Sequence, residues 1–166
     1  IPNQAVRVYD PETGTLGMLA QGVFRPPPNN FTGPEDFRGI AADGQGNVYA
    51  LDPLNGRMLK IGAGGGVTSP PGAAATASFG ISSGLAVDAA DNLYVADPEG
   101  HVIRRVAPDG TVSTAAGVST SYYVKPGPLP GSLGNPTGIA VRPDDPGAAR
   151  LVVTDENSVL VIVLPR

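Results

Sequence analysis

Five aspartates recur at matched positions of this chain, and they are its most plausible chemistry-bearing side chains. Asp43 and Asp88 close the segments Gly39-Ile40-Ala41-Ala42-Asp43 and Gly84-Leu85-Ala86-Val87-Asp88. Asp52, Asp97 and Asp155 close Asn47-Val48-Tyr49-Ala50-Leu51-Asp52, Asn92-Leu93-Tyr94-Val95-Ala96-Asp97 and Leu151-Val152-Val153-Thr154-Asp155. Calcium takes clustered carboxylates and carbonyls, so a ring of such groups could hold it. A carboxylate just past a strand also accepts the amides of the following turn. Repetition in every copy fits a role in the fold, so Asp52, Asp97 and Asp155 are expected to be structural turn residues, and Asp43 and Asp88 to cap turns. The pairs Asp91-Asn92 and Asp144-Asp145 lack the dense acidic spacing of a calcium loop.

Other chemistry finds little support. His101 is the only histidine and there is no cysteine, hence no disulfide framework and no thiolate metal site. No Gly-x-Ser-x-Gly elbow occurs. Gly62 to Gly66 is glycine-rich but opens no helix and carries no phosphate-loop lysine, so a strand-to-strand turn is expected there. Asn30-Phe31-Thr32 fits the N-glycosylation acceptor pattern, which has meaning only in a eukaryotic secretory setting. The expected cofactor is none, with calcium or zinc the conceivable exceptions.

The elements that would position these residues are repeats. The anchors Gly39, Gly84 and Gly138 stand roughly 45 and 54 residues apart, a period that marks an array of supersecondary units. The middle unit reads as four strands, Gly84 to Val87, Leu93 to Ala96, His101 to Val106 and Thr111 to Ala115. Turns separate them at Ala89 to Asn92, Asp97-Pro98-Glu99-Gly100 and Pro108-Asp109-Gly110. Four antiparallel strands in such a unit match one β-propeller blade. The first copy follows the same plan, with turns at Gly44-Gln45-Gly46, Asp52 to Gly56 and Gly64 to Gly66. Val6 to Tyr9 and Thr15 to Leu19 read as the last two strands of a blade, and the C-terminus as the first three of another. The expected division of the single segment 1–166 is a partial blade at 5–21, blades at 37–69 and 83–116, and a partial blade at 136–164. That makes thirteen strands, slightly over three blades. Small residues in the first strands suit crowding at a propeller axis. No helical periodicity is present, so the fold class is all-β.

Three long connectors, 22–37, 69–82 and 118–136, are rich in Pro, Gly, Ser and Ala. Loops of this length are commonly functional. They carry Phe31, Phe37, Tyr122, Tyr123 and Lys125, which would serve as partner anchors or fold back as plugs over blade junctions.

The bulk numbers bound the partners. The chain has 166 residues, 41% of them hydrophobic, enough for one core. A formal charge of −4 with scattered arginines offers no surface to track a phosphate backbone, so nucleic acid is not expected as a partner. No apolar run reaches the roughly 18 residues of a membrane span. The chain opens on Ile1 rather than Met, which reads as a processed or excised piece, and an extracellular or periplasmic home is the expectation.

The blocks resemble the NHL repeat. Pro136 to Val141 matches its Pro-x-Gly-Ile-Ala-Val opening; Ala86-Val87-Asp88, Asn92, Tyr94 to Asp97, Val102-Ile103-Arg104 and Asp109-Gly110-Thr111 match nearly throughout. The third copy departs: Arg142 stands for the usual Asp, and 143–149 enlarges the turn. The resemblance implies a propeller, usually of six blades, that serves as a binding platform. Its members and relatives include protein-binding modules, sensors, RNA-binding domains and a few metal-dependent lyases or lactonases. The lyase-like relatives draw several histidines from different blades, which His101 alone cannot supply.

The expectation is therefore a non-catalytic binding or scaffold module for an unidentified protein or small ligand. Its partner face would combine the connectors with the turns after the second strands: Asn55, Arg57, Glu99, His101, Tyr122, Tyr123, Lys125 and Asn157. The rival is half of a propeller enzyme whose metal ligands lie in further blades. Two copies of three blades would make six, so a homodimer closing head-to-tail is a further expectation, although the C-terminal third strand and the partner's N-terminal third strand would compete for one place. The alternative is completion by the missing blades of a longer chain.

Overall fold

The computed structural model describes residues 5–21, 38–52, 56–72, 77–79, 83–142 and 149–165. Among the described residues thirteen strands fall into four antiparallel sheets. The first holds β1 (Ala5–Asp10) and β2 (Thr15–Gln21). The second runs β3 (Ile40–Ala42), β4 (Val48–Asp52), β5 (Arg57–Ile61) and β6 (Val67–Thr68) in that order. The third runs β7 (Gly84–Val87), β8 (Leu93–Asp97), β9 (Val102–Val106) and β10 (Val112–Gly117). The fourth has β11 (Pro136–Arg142), β12 (Arg150–Asp155) and β13 (Ser158–Val163). No helical element occurs among the described residues. Each sheet is a meander of sequence neighbours, which short turns permit without crossovers.

The sheets stack face to face in chain order. Val6 and Ala20 of the first meet Ile61 of the second. Tyr49, Leu51 and Met58 of the second meet Leu85, Leu93, Val95 and Val106 of the third across Phe79. Tyr94, Ala96, Ile103 and Ala116 on the third sheet's other face meet Leu151, Val153 and Ile162 of the fourth. Successive strand residues point to opposite faces. In β8, Val95 therefore serves one interface while Tyr94 and Ala96 serve the next, and all five of its residues are buried. This explains why β8 reads as an unbroken apolar run.

The repeated glycine is explained by the innermost strands. A Cβ on Gly39 would lie 3.0 Å from Leu51 Cδ1 and 3.1 Å from Leu85 Cβ in the next sheet. A Cβ on Gly84 would lie 2.6 Å from the Thr137 carbonyl at the start of β11. Gly39 and Gly84 thus mark where one sheet touches the following sheet, whereas a Cβ on Gly138 would meet Thr154 Oγ1 of its own sheet at 2.6 Å. Ser83 reinforces the junction, its hydroxyl donating to the Thr137 carbonyl at 3.0 Å.

Gly84→Ala should destabilise the chain by about 1–3 kcal/mol, because overpacking against backbone exceeds the ~0.4–1 kcal/mol gained by stiffening the unfolded chain. Gly64→Ala, whose Cβ meets nothing within 4 Å, should leave stability unchanged or slightly raised. Urea unfolding of the two variants checks this, and equal midpoints would refute the packing account.

Candidate functional site

The second-strand aspartates sit at one end of the sheets and are all buried. Asp97 Oδ1 accepts the Gly100 amide at 2.8 Å, and its Oδ2 accepts Arg104 Nε at 2.7 Å. Gly100 is confined here, since a Cβ would fall 2.6 Å from Asp97 Oδ2. Asp52 Oδ2 accepts Arg57 Nε at 3.0 Å. Asp155, fully buried, differs from the expected pattern. Instead of the following turn it holds the connector before its own sheet, accepting the Gly134 amide at 2.9 Å and that of Asn135. Its neighbour Glu156 closes the site, for a Cβ on Gly134 would lie 2.7 Å from Glu156 Oε1.

His101 fastens the same connector. Its Nδ1 meets the Gly134 carbonyl, and its ring lies edge-on to Tyr122 with centroids 4.7 Å apart. The backbone here takes φ +55°, a left-handed conformation in which Gly56 occupies the equivalent turn position at φ +61°. Histidine tolerates this region better than most residues. Further along, the Gly117 amide donates to the Pro130 carbonyl at 2.7 Å, and Lys125 and Ser132 pair through their backbones. Connector 118–135 is thus tied to the blades at Pro130, Gly134 and Asn135 and paired within itself at Lys125 and Ser132. Phe79 is likewise drawn to an earlier turn, its amide donating to the Gly56 carbonyl at 2.9 Å.

The residues expected on a partner face separate accordingly. His101, Tyr122, Tyr123 and Lys125 come together on or beside the pinned connector. Tyr122 and Tyr123 are 72% and 64% exposed, so they stand out from the surface and do not plug a junction. Glu99 and Asn157 are exposed in the β8–β9 and β12–β13 turns, while Arg57 is half-buried on Asp52. Asn55, Phe31, Phe37, the acceptor triplet at Asn30 and the pair Asp144-Asp145 lie outside the described residues. Sequence reasoning missed Gly134, Pro130, Ser132 and Leu133. Between this connector and β13 runs a groove of about 330 Å³, lined by Val124, Leu129, Leu133, Leu160 and Ile162 among others. The Gly134-Asn135-Pro136 sequence was the available signal, a turn opening a strand.

The opposite end carries two matched carboxylate cages. Asp88 accepts the Ala90 and Asn92 amides, both at 2.9 Å, the Asn92 side chain and the Tyr94 hydroxyl at 3.0 Å. Asn92 Oδ1 in turn accepts from Arg105 at 2.7 Å. Asp43 accepts the Gln45 amide at 3.0 Å, the Asn47 amide and side chain, both at 2.8 Å, and the Tyr49 hydroxyl at 3.3 Å. Both therefore cap turns. Burial pushes Asp43 upward, but these donors outweigh it and hold its carboxyl below the usual carboxylate range. Burial, together with the adjacent Asp88 carboxylate, pushes the Tyr94 phenol up to about 12.

Among the described residues no group of three or more His, Cys, Asp or Glu converges where it could hold a metal ion.

Comparisons with known proteins bear on the fold. No protein-family model and no curated protein matches the sequence. Solved structures do. A protein of unknown function from Bacteroides thetaiotaomicron superposes with a TM-score of 0.59 at 19% identity, over 96% of this chain and 53% of its own. A putative gluconolactonase gives 0.56 at 15%, over 100% and 49%. Virginiamycin B lyase from Staphylococcus aureus gives 0.54 at 15%, over 98% and 50%. The fold is β-propeller-like. Its four-stranded sheets are blades, and the chain spans about half the length of these structures.

Asp155→Ala should cost about 1–3 kcal/mol, since it strands the buried amide of Gly134 while water can reach that of exposed Asn135. Hydrogen exchange at Gly134 and Asn135 should accelerate with it; unchanged protection there would show that the carboxylate does not hold the connector.

At alkaline pH the sign follows from Tyr94. Its folded value lies above the unfolded value near 10, so its contribution is present below pH 10 and lost as pH rises towards about 12. Tyr94→Phe should flatten that part of the stability profile while removing the Asp88 bond at a cost of about 1 kcal/mol at pH 7. An unaltered alkaline limb in the variant would refute the assignment. In acid, the lowered Asp43 gives stability that is present above the ordinary carboxylate value of 3.8 and lost as pH falls through its folded value.

Proposed function

We propose that the chain is an NHL-type propeller segment, with blades at 37–69 and 83–116 between partial blades at 5–21 and 136–164, whose connector face binds a partner without catalysis. The observation that carries the reading is Tyr122 and Tyr123 standing exposed on a connector whose backbone is already fixed by Asp155, His101 and Gly117. Aromatic rings on a pre-ordered loop supply contact area at little cost in conformational entropy. The adjoining groove lined by Val124 and Leu129 extends the same surface with apolar walls. Lys125 and Asn157 add polar rim groups, as a recognition face requires.

A second reading is half of a propeller enzyme. It is favoured by the likeness to a putative gluconolactonase and to virginiamycin B lyase. Against it stands the commitment of the chain's one histidine to a backbone carbonyl through Nδ1. Fold alone does not decide, because one scaffold hosts many functions.

Panning a random peptide display library on the immobilised chain tests the first reading. Enriched peptides should lose about tenfold or more in affinity on the double variant Tyr122→Ala/Tyr123→Ala, a loss of roughly 1.4 kcal/mol. Peptides indifferent to that variant would place recognition elsewhere. Hydrolysis of gluconolactone by the chain above the buffer rate, with zinc or calcium supplied, would transfer support to the enzyme.

A further inference from the structure

A pocket of about 350 Å³ opens where the third sheet meets the start of connector 118–135. Val102 and Arg104 line one wall; as alternate residues of β9 they share a side of the strand. Thr114 stands opposite Arg104 on β10, and Gly100, Gly117 and Ser119 close other sides. Two backbone features shape the pocket. The β9–β10 ladder slips by one residue between Thr114 and Ala116, a bulge that bends the outer strand locally. Gly117 takes φ +89°, and a Cβ there would collide with the His101 carbonyl. The position requires glycine, because the chain passes this close to the β8–β9 turn before Ser119 reaches the pocket.

Arg104 supplies the chemistry. Its Nε donates to Asp97 Oδ2 at 2.7 Å, and buried Asp97 has its other oxygen on the Gly100 amide. This bond fixes the guanidinium and uses only one of its N–H donors. Among the described residues neither Nη nitrogen has a hydrogen-bond partner, nor has the hydroxyl of Thr114 or of Ser119. The Arg104 side chain is 35% exposed, so a solute can reach it. Its counterparts in the neighbouring sheets are Leu59, opposite Ala50, and Leu160, opposite Val153. A blade therefore forms without a cation at this position.

We propose that this pocket binds a small monocarboxylate, the two Nη groups of Arg104 forking onto its oxygens and the Thr114 and Ser119 hydroxyls donating beside them. Guanidinium and carboxylate are planar groups that match through two parallel N–H···O bonds. The charge balance selects the class. Asp97 already offsets the charge of Arg104 and would repel a dianion such as phosphate. One negative charge spread over two oxygens meets less of that repulsion. Val118 beside Ser119 offers the carbon end of the acid an apolar contact. The volume is that of a small-molecule site. The pocket shares no lining residue with the groove beside β13, so it is a site apart from the tyrosine surface.

Titration of the isotope-labelled chain, followed by amide NMR at neutral pH and constant ionic strength, tests this. The probes are benzoate, benzamide, inorganic phosphate and an end-blocked peptide carrying one glutamate. Benzoate should bind with a dissociation constant of about 1 mM or below and move the Gly100, Thr114, Gly117 and Ser119 signals, while benzamide should not. The same shifts with the peptide and not with benzoate would support the carboxylate site and assign its source to a protein side chain. Arg104→Lys should weaken benzoate by about tenfold or more, because an ammonium cannot fork. That change also disturbs buried Asp97, so Thr114→Val/Ser119→Ala is the second variant; it keeps the ion pair and should weaken benzoate by about fivefold or more. Three results would overturn the proposal: no shift from benzoate or the peptide up to about 20 mM, phosphate binding more tightly than benzoate, or binding that neither variant alters.

Discussion

A carboxylate taken out of water must be met by donors, and that requirement organises one end of this protein. Asp52, Asp97 and Asp155 occupy the same place at the close of the second strand, and each is buried. An uncompensated buried charge is far too costly to keep. The chain answers differently in each blade. Asp97 finds Arg104, which pairs with Val95 across the sheet, and the Gly100 amide. At the position equivalent to Arg104, the last sheet has Leu160, paired with Val153. With no guanidinium there, Asp155 recruits the amides of Gly134 and Asn135. The connector is ordered because that carboxylate has no donor on its own third strand.

The same substitution logic governs the turns. Gly46 and Gly56 adopt positive φ in the second sheet, and the third sheet places Asp91 and His101 at the equivalent positions with φ of 59° and 55°. Holding a non-glycine residue in this region costs free energy, which the surroundings must return. For His101 they do so through the Gly134 carbonyl and the Tyr122 ring. Both turns hold the chain that follows, the first through the Gly56 carbonyl and the second through the His101 side chain.

What could be read from the sequence follows from the range of the forces involved. β7 is bounded as its residues suggest, and β5 begins at Arg57 after the Asn55-Gly56 turn signal, because strand alternation and turn chemistry are local. The third strand of the middle blade starts at Val102 instead of His101, since the left-handed backbone places His101 in the turn. The Asp88 cage is local too, its donors lying within six residues. The tie from Asp155 to Gly134 reaches back 21 residues, and the groove beside β13 depends on where a proline-rich connector returns. No spacing rule encodes such contacts. His101 was visible as a lone histidine, but its partner was not.

These commitments bear on what the surface can do. Both carboxylate oxygens of Asp97 and of Asp155 are engaged by named donors, and His101 Nδ1 is tied to backbone. General acid–base chemistry needs a group free to exchange a proton with a reacting atom at hydrogen-bond distance. Groups whose hydrogen bonds hold a loop in place can move a proton only by loosening that loop. Tyr123 and the outer part of the Tyr122 ring, whose edge packs on His101, remain exposed above that backbone. Rigid support under exposed aromatic surface is an arrangement that serves recognition. On this face the buried polar side chains hold the backbone and the tyrosine rings are left exposed.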